Sequence, residues 1–69
     1  MNDMKIQSID FLIFDGFPMA CLTSMIEPLR AANEISGQVA FSWTLLAETM
    51  EKVRSSAGVS FEPDMALSQ

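Results

Sequence analysis

The sequence predicts an α/β fold: a strand–helix–strand (βαβ) unit followed by a β-hairpin. Three observations carry the prediction. Ile9, Phe11, Leu12, Ile13 and Phe14 form a short, nearly unbroken apolar run, the mark of a strand covered on both faces in a parallel sheet. Met19, Leu22, Ile26, Leu29 and Ala32 then recur three or four apart, one helical stripe. Phe41, Trp43, Leu45 and Ala47 alternate with Ser42, Thr44, Leu46 and Glu48, the period of a strand.

Met1 to Gln7 is a polar entry, and the first strand is expected from about Ile6 to Phe14. Asp15-Gly16 supplies the corner, with Gly16 able to take the positive φ of a tight turn. Pro18 suits the first turn of a helix, where its missing N–H is no loss. The helix is expected from Pro18 to Ile35, stopped at Ser36-Gly37. Cys21 and Met25 widen its apolar stripe, while Thr23, Glu27, Arg30, Asn33 and Glu34 make the polar side. Pro28 removes the hydrogen bond to the Ser24 carbonyl. The helix either bends there or breaks in two, and the unbroken phase of the stripe favours the bend.

Val39 to Glu48 is the second strand, parallel to the first by the rule for βαβ units. Thr49 to Lys52 is a polar turn. Lys52-Val53-Arg54 and Val59-Ser60-Phe61 flank Ser55-Ser56-Ala57-Gly58, a hairpin with a four-residue loop. Pro63-Asp64 stops the second arm, Asp64 is expected to cap a following helix, and Leu67 is expected to enter the core.

Composition limits the possible functions. The chain has 69 residues, is 49% hydrophobic and carries a net charge of −5. A chain of this size buries about 60% of its unfolded surface and is marginal alone. The single Cys21 excludes an internal disulfide, and the absence of His leaves no zinc set. Lys5, Arg30, Lys52 and Arg54 are scattered, so there is no basic patch to neutralise phosphates. No general acid–base pair, triad, phosphate-binding glycine loop or metal set is visible. No secretory or membrane-spanning run is visible either, and a cytoplasmic protein is expected. A βαβ unit plus a hairpin leaves an apolar face uncovered, so we read residues 1–69 as a fragment of a larger α/β domain.

The strings FLIFDGFPM, IEPLRAAN and FSWTLLAE, followed by S-x-G-V-S-F-E-P-D-x-A-L, resemble the N-terminal part of GlxA-type, AraC-family transcriptional regulators. The first domain of those regulators is similar to the PfpI/ThiJ, class I glutamine amidotransferase-like superfamily. Glu27-Pro28-Leu29-Arg30-Ala31-Ala32-Asn33, with Trp43-Thr44-Leu45, is the most specific part. The resemblance implies a doubly wound (Rossmann/flavodoxin-like) sandwich that senses a small molecule and dimerises. It also implies a C-terminal pair of helix-turn-helix motifs that binds DNA and is absent from this chain. Amine-containing effectors such as betaines, carnitine and arginine are implied, with no cofactor. Enzymes of the superfamily carry an acidic residue where this chain has Cys21, and their nucleophilic cysteine lies far downstream. Asp15 stands where such regulators commonly have proline. The expectation is therefore a non-enzyme; a truncated PfpI-like hydrolase, hydratase or amidotransferase is the alternative.

Ligands of open α/β sheets sit beyond the carboxyl ends of the strands. The candidate ligand-binding residues are therefore Asp15, Gly16, Phe17, Met19 and Cys21. Each also has a commoner role. Asp15 is a turn former or the partner of a cationic ligand. Cys21, in the first helical turn, is a small buried hydrophobe or a reactive thiol, and burial is the commoner state. Met19 and Met25 are core filling or an adaptable surface. Glu27 and Arg30 form a solvated ion pair or, with Met25, a dimer or recognition surface.

Overall fold

The computed structural model describes residues 5–68; the first four residues of the polar entry and Gln69 lie outside the described residues. In chain order the elements are β1 (Gln7–Leu12), α1 (Met19–Ser36), β2 (Phe41–Ala47), β3 (Val53–Arg54), β4 (Ser60–Phe61) and β5 (Met65–Ala66). β1 pairs parallel with β2 in the register Gln7↔Phe41 to Leu12↔Leu46. β5 joins the other side of β2, also parallel, giving the order β1-β2-β5. β3 and β4 form a separate antiparallel ribbon, Val53↔Phe61 and Arg54↔Ser60. The βαβ unit and the hairpin are thus both present.

β1 ends two residues before the apolar run that announces it, although the Ile13 N–H still donates to the Leu46 carbonyl at 2.8 Å. Its period is two rather than continuous. Ile9 and Phe11 are half-buried and Ile13 is 2% exposed, whereas Leu12 and Phe14 are 56% and 58% exposed. Leu12 and Phe14 thus lie on the apolar face that a βαβ unit plus a hairpin is expected to leave uncovered. α1 supplies one layer, and no second layer occurs among the described residues. The Cα atoms span 12 Å in the thinnest direction, room for two layers and not three.

α1 begins at Pro18, whose extended φ of −79° and ψ of 106° make it the N-cap, without a side-chain cap. The helix runs unbroken through Pro28, so the two-helix alternative does not hold. It stops at Gly37, in the left-handed region at φ 72°, whose N–H donates to the carbonyls of Asn33 and Glu34 at 3.0 and 3.3 Å. The stripe lies inward: Leu22 is buried, and Met19 and Ile26 pack against the cluster of Ile13, Phe17, Ala47 and Val53. Cys21 and Met25 are exposed and do not widen the buried stripe. Asn33 corrects the polar side. Its Oδ1 accepts the N–H groups of Ala40 and Phe41 at 2.8 and 2.9 Å, and its Nδ2 donates to the Phe41 carbonyl at 2.8 Å. The last turns of α1 are thereby tied to the start of β2.

Asp64 does not cap a helix. Its N–H donates to the Leu45 carbonyl at 2.8 Å and its Oδ2 accepts the Leu45 N–H at 2.8 Å. The side chain stands in for a backbone acceptor and leads β5 onto the edge of β2. Ala66, not Leu67, enters the core, and Leu67 is exposed. The reason is register: Ala66 pairs with buried Ala47, so Leu67 points to the uncovered face.

Candidate functional site: a hollow at the carboxyl ends of β1 and β2

The corner after β1 is a tight turn. The Phe17 N–H donates to the Phe14 carbonyl at 2.9 Å, and Gly16, at φ 87°, provides the positive φ that the turn requires. The hairpin is pinned to this corner. The Gly16 N–H donates to the Arg54 carbonyl and the Ser56 N–H to the Phe17 carbonyl, each at 2.8 Å, with Phe17 and Ser55 forming a parallel bridge. The Phe17 ring meets Phe61 edge to face, with centroids 5.1 Å apart and planes at 72°. Ser55 is buried, and its Oγ accepts the N–H groups of Ala57 and Val59 at 3.3 and 3.2 Å. The turn of the hairpin closes with the Gly58 N–H on the Ser55 carbonyl at 2.9 Å.

Between this pinned corner and the end of β2 lies a hollow of about 490 Å³. Its apolar floor comes from Ile13, Phe14, Ala47, Val53 and Leu67. Its rim carries Asp15 from the corner and Glu48, Thr49, Glu51 and Lys52 from the segment that follows β2. Three carboxylates and one ammonium group give the rim a net negative charge, which suits a cation placed over an apolar floor. A second groove of about 350 Å³ runs along the open flank of β1. It is lined by Asp10, Leu12, Phe14, Cys21 and Met25 among others, with Asp10 its one charged residue.

The candidate ligand residues do not form one cluster. Asp15 is on the hollow, and Cys21 is on the flank groove. Phe17, 3% exposed, belongs to the core beneath them and forms part of the groove wall. Met19 is half-buried and packs on that core. Gly16 is exposed and shapes the turn. The expected burial of Cys21 is corrected: it is an exposed free thiol on the groove side of α1, while its neighbour Leu22 is the residue of that turn that is buried. Met25 is exposed on the same groove.

Glu27 and Arg30 line neither hollow. Arg30 Nε donates to Glu27 Oε1 at 2.7 Å and Nη1 to Glu34 Oε2 at 2.7 Å, all on the exposed helix surface. The hydrogen bond from Arg30, and secondarily its charge, hold the Glu27 carboxyl below its usual range. The hydrogen bonds that Arg30 donates to Glu27 and then to Glu34 raise its own pKa. Glu48, Thr49, Glu51 and Lys52 are the rim residues that the sequence reading missed. The rule that directs attention to the carboxyl end of the first strand applies equally to the second, and it points to this segment.

Among the described residues no group of three or more His, Cys, Asp or Glu is placed to hold a metal ion. No helix among them is long and apolar enough to cross a membrane.

No family model matches the chain. Over 58 residues it is 41% identical to the HTH-type transcriptional regulator GbdR of Pseudomonas aeruginosa strain UCBPP-PA14, and it is equally similar to the protein of the same name in strain PAO1. The aligned stretch is 84% of this chain and 16% of each relative, so the chain spans about a sixth of the length of the curated relatives it matches.

Proposed function

We propose that the chain is the N-terminal part of the PfpI/ThiJ-like, ligand-sensing domain of a GlxA-type, AraC-family transcriptional regulator. The observation that carries the reading is the 41% identity, over most of the chain, to a regulator named for its helix-turn-helix. In the full-length protein, a cytoplasmic homodimer, the hollow beyond β1 and β2 takes a small amine-containing effector. The acidic rim of Asp15, Glu48 and Glu51 and the apolar floor support that class of ligand. DNA is contacted only through a C-terminal helix-turn-helix domain outside this chain. Binding shifts the relative orientation of the two DNA-binding domains, which requires the two orientations to differ in affinity for the effector.

The test is operator affinity of the full-length regulator, measured by fluorescence anisotropy with glycine betaine, carnitine or arginine at saturating concentration. At least one of the three is expected to change DNA affinity, and Asp15→Ala to weaken the response. DNA affinity that is unchanged by all three refutes the reading.

A further inference from the structure

Between β2 and β3 the chain crosses five residues, Glu48 to Lys52, all of them exposed. Both anchors are buried: Ala47 ends β2 and Val53 begins β3. Among the described residues, no N–H or C=O of the five makes a backbone-to-backbone hydrogen bond. The one hydrogen bond along the segment is local, from the Glu51 N–H to Thr49 Oγ1 at 3.3 Å. A stretch fixed at its ends and free along its length opens and closes at low free-energy cost.

The composition of the segment fits its position. Glu48, Thr49, Glu51 and Lys52 form one wall of the hollow, but Met50, at the middle, does not line it and is 46% exposed. Met50 is a flexible, polarizable side chain beside an apolar floor that it does not touch. Met50 lies between Thr49 and Glu51, which both line the hollow.

We propose that Glu48–Lys52 is a strap that closes over the hollow when the hollow is occupied, with Met50 folding onto its apolar floor. The proposal rests on the reading of the hollow as the effector site. Closure covers apolar surface that is wet in the open state. It also excludes water from between the bound cation and the rim carboxylates, which strengthens their attraction.

The experiment pairs calorimetry with amide hydrogen exchange on the full-length regulator, using glycine betaine, carnitine and arginine as probes. Without a probe the amides of Thr49 to Lys52 are expected to exchange almost unprotected, and with a binding probe they slow. Met50→Ala is expected to weaken that affinity by about fivefold, the order for covering half a methionine side chain, while the thermal midpoint without probe stays unchanged. Protection of these amides in the unliganded protein overturns the strap. Calorimetric binding that leaves their exchange unchanged also overturns it, and the effector reading then stands. Unchanged affinity in Met50→Ala overturns the folding of Met50 onto the floor. Absence of binding by all three probes removes the effector reading and the strap with it.

Discussion

Replacing Asn33 with alanine removes three hydrogen bonds in one step: two accepted by Oδ1, from Ala40 and Phe41, and one donated by Nδ2 to the Phe41 carbonyl. A net hydrogen bond contributes about 1 kcal/mol, so the gross loss is about 3 kcal/mol. Two effects reduce it. Ala40 and Phe41 are only half-buried, so water re-satisfies part of the exposed backbone. Alanine also improves helix propensity by about 0.5 kcal/mol over asparagine. The expected net destabilisation is about 1.5–2 kcal/mol. For a chain of 69 residues, with a urea slope of about 1 kcal/mol/M, the midpoint falls by about 1.5–2 M. The single Trp43 lies in β2, two residues beyond Phe41, so its fluorescence reports the strand that Asn33 holds. A loss below about 0.5 kcal/mol, the level of an ordinary surface substitution, refutes the claim that Asn33 ties the helix to the strand.

Gly16→Ala meets open space, with nothing within 4 Å of the added Cβ. Its cost of about 1–2 kcal/mol comes from backbone strain at φ 87° alone, and urea unfolding checks it. Pro28→Ala restores an N–H that can donate to the Ser24 carbonyl within α1, so the unfolding free energy rises by about 1–2 kcal/mol; a fall shows that the proline shapes a contact worth more than the hydrogen bond. The Glu27 pKa is depressed by the hydrogen bond and charge of Arg30. Its contribution to stability is therefore present above the unfolded carboxylate pKa and is lost as the pH falls through the folded one. The stability difference between wild type and Glu27→Gln, followed by urea unfolding, should be flat above about pH 5 and shrink in acid, and it should also shrink at high salt.

Those predictions touch residues whose roles were legible to very different degrees. Helix limits were plain because a proline and a glycine bracket the stripe, and both act through their own backbones. The second strand was plain because Phe41, Trp43, Leu45 and Ala47 recur at period two, and its parallel pairing followed from the rule for βαβ units. What escaped depends on contacts distant in sequence. Asn33 reads as one more polar residue on a helix, and only the docking of Ala40 and Phe41 against it reveals a clamp. Asp64 follows a proline and precedes an apolar pair, the local signature of a helix cap, yet the free edge of β2 nineteen positions back captures it. The apolar run of β1 records what both of its faces need; among the described residues Ile13 is covered, while Leu12 and Phe14 lie on the face that the βαβ unit and the hairpin were expected to leave open.

The corner shows the same division at the scale of the site. Asp15 and Cys21 are close in sequence, and a strand-corner-helix pattern places both at the end of β1. Phe17 comes between them and belongs to the core. Its ring is buried against Phe61, and its carbonyl accepts from Ser56, so the hairpin is bound to the corner at this point. Phe17 lines the thiol-bearing groove but not the acidic hollow, and Leu12, Ile13 and Phe14 at the end of β1 line both. The lining of the hollow therefore offers carboxylates and apolar surface but not the thiol. The rim is completed by Glu48, Thr49, Glu51 and Lys52 from the segment after β2, and no residue of α1 reaches it.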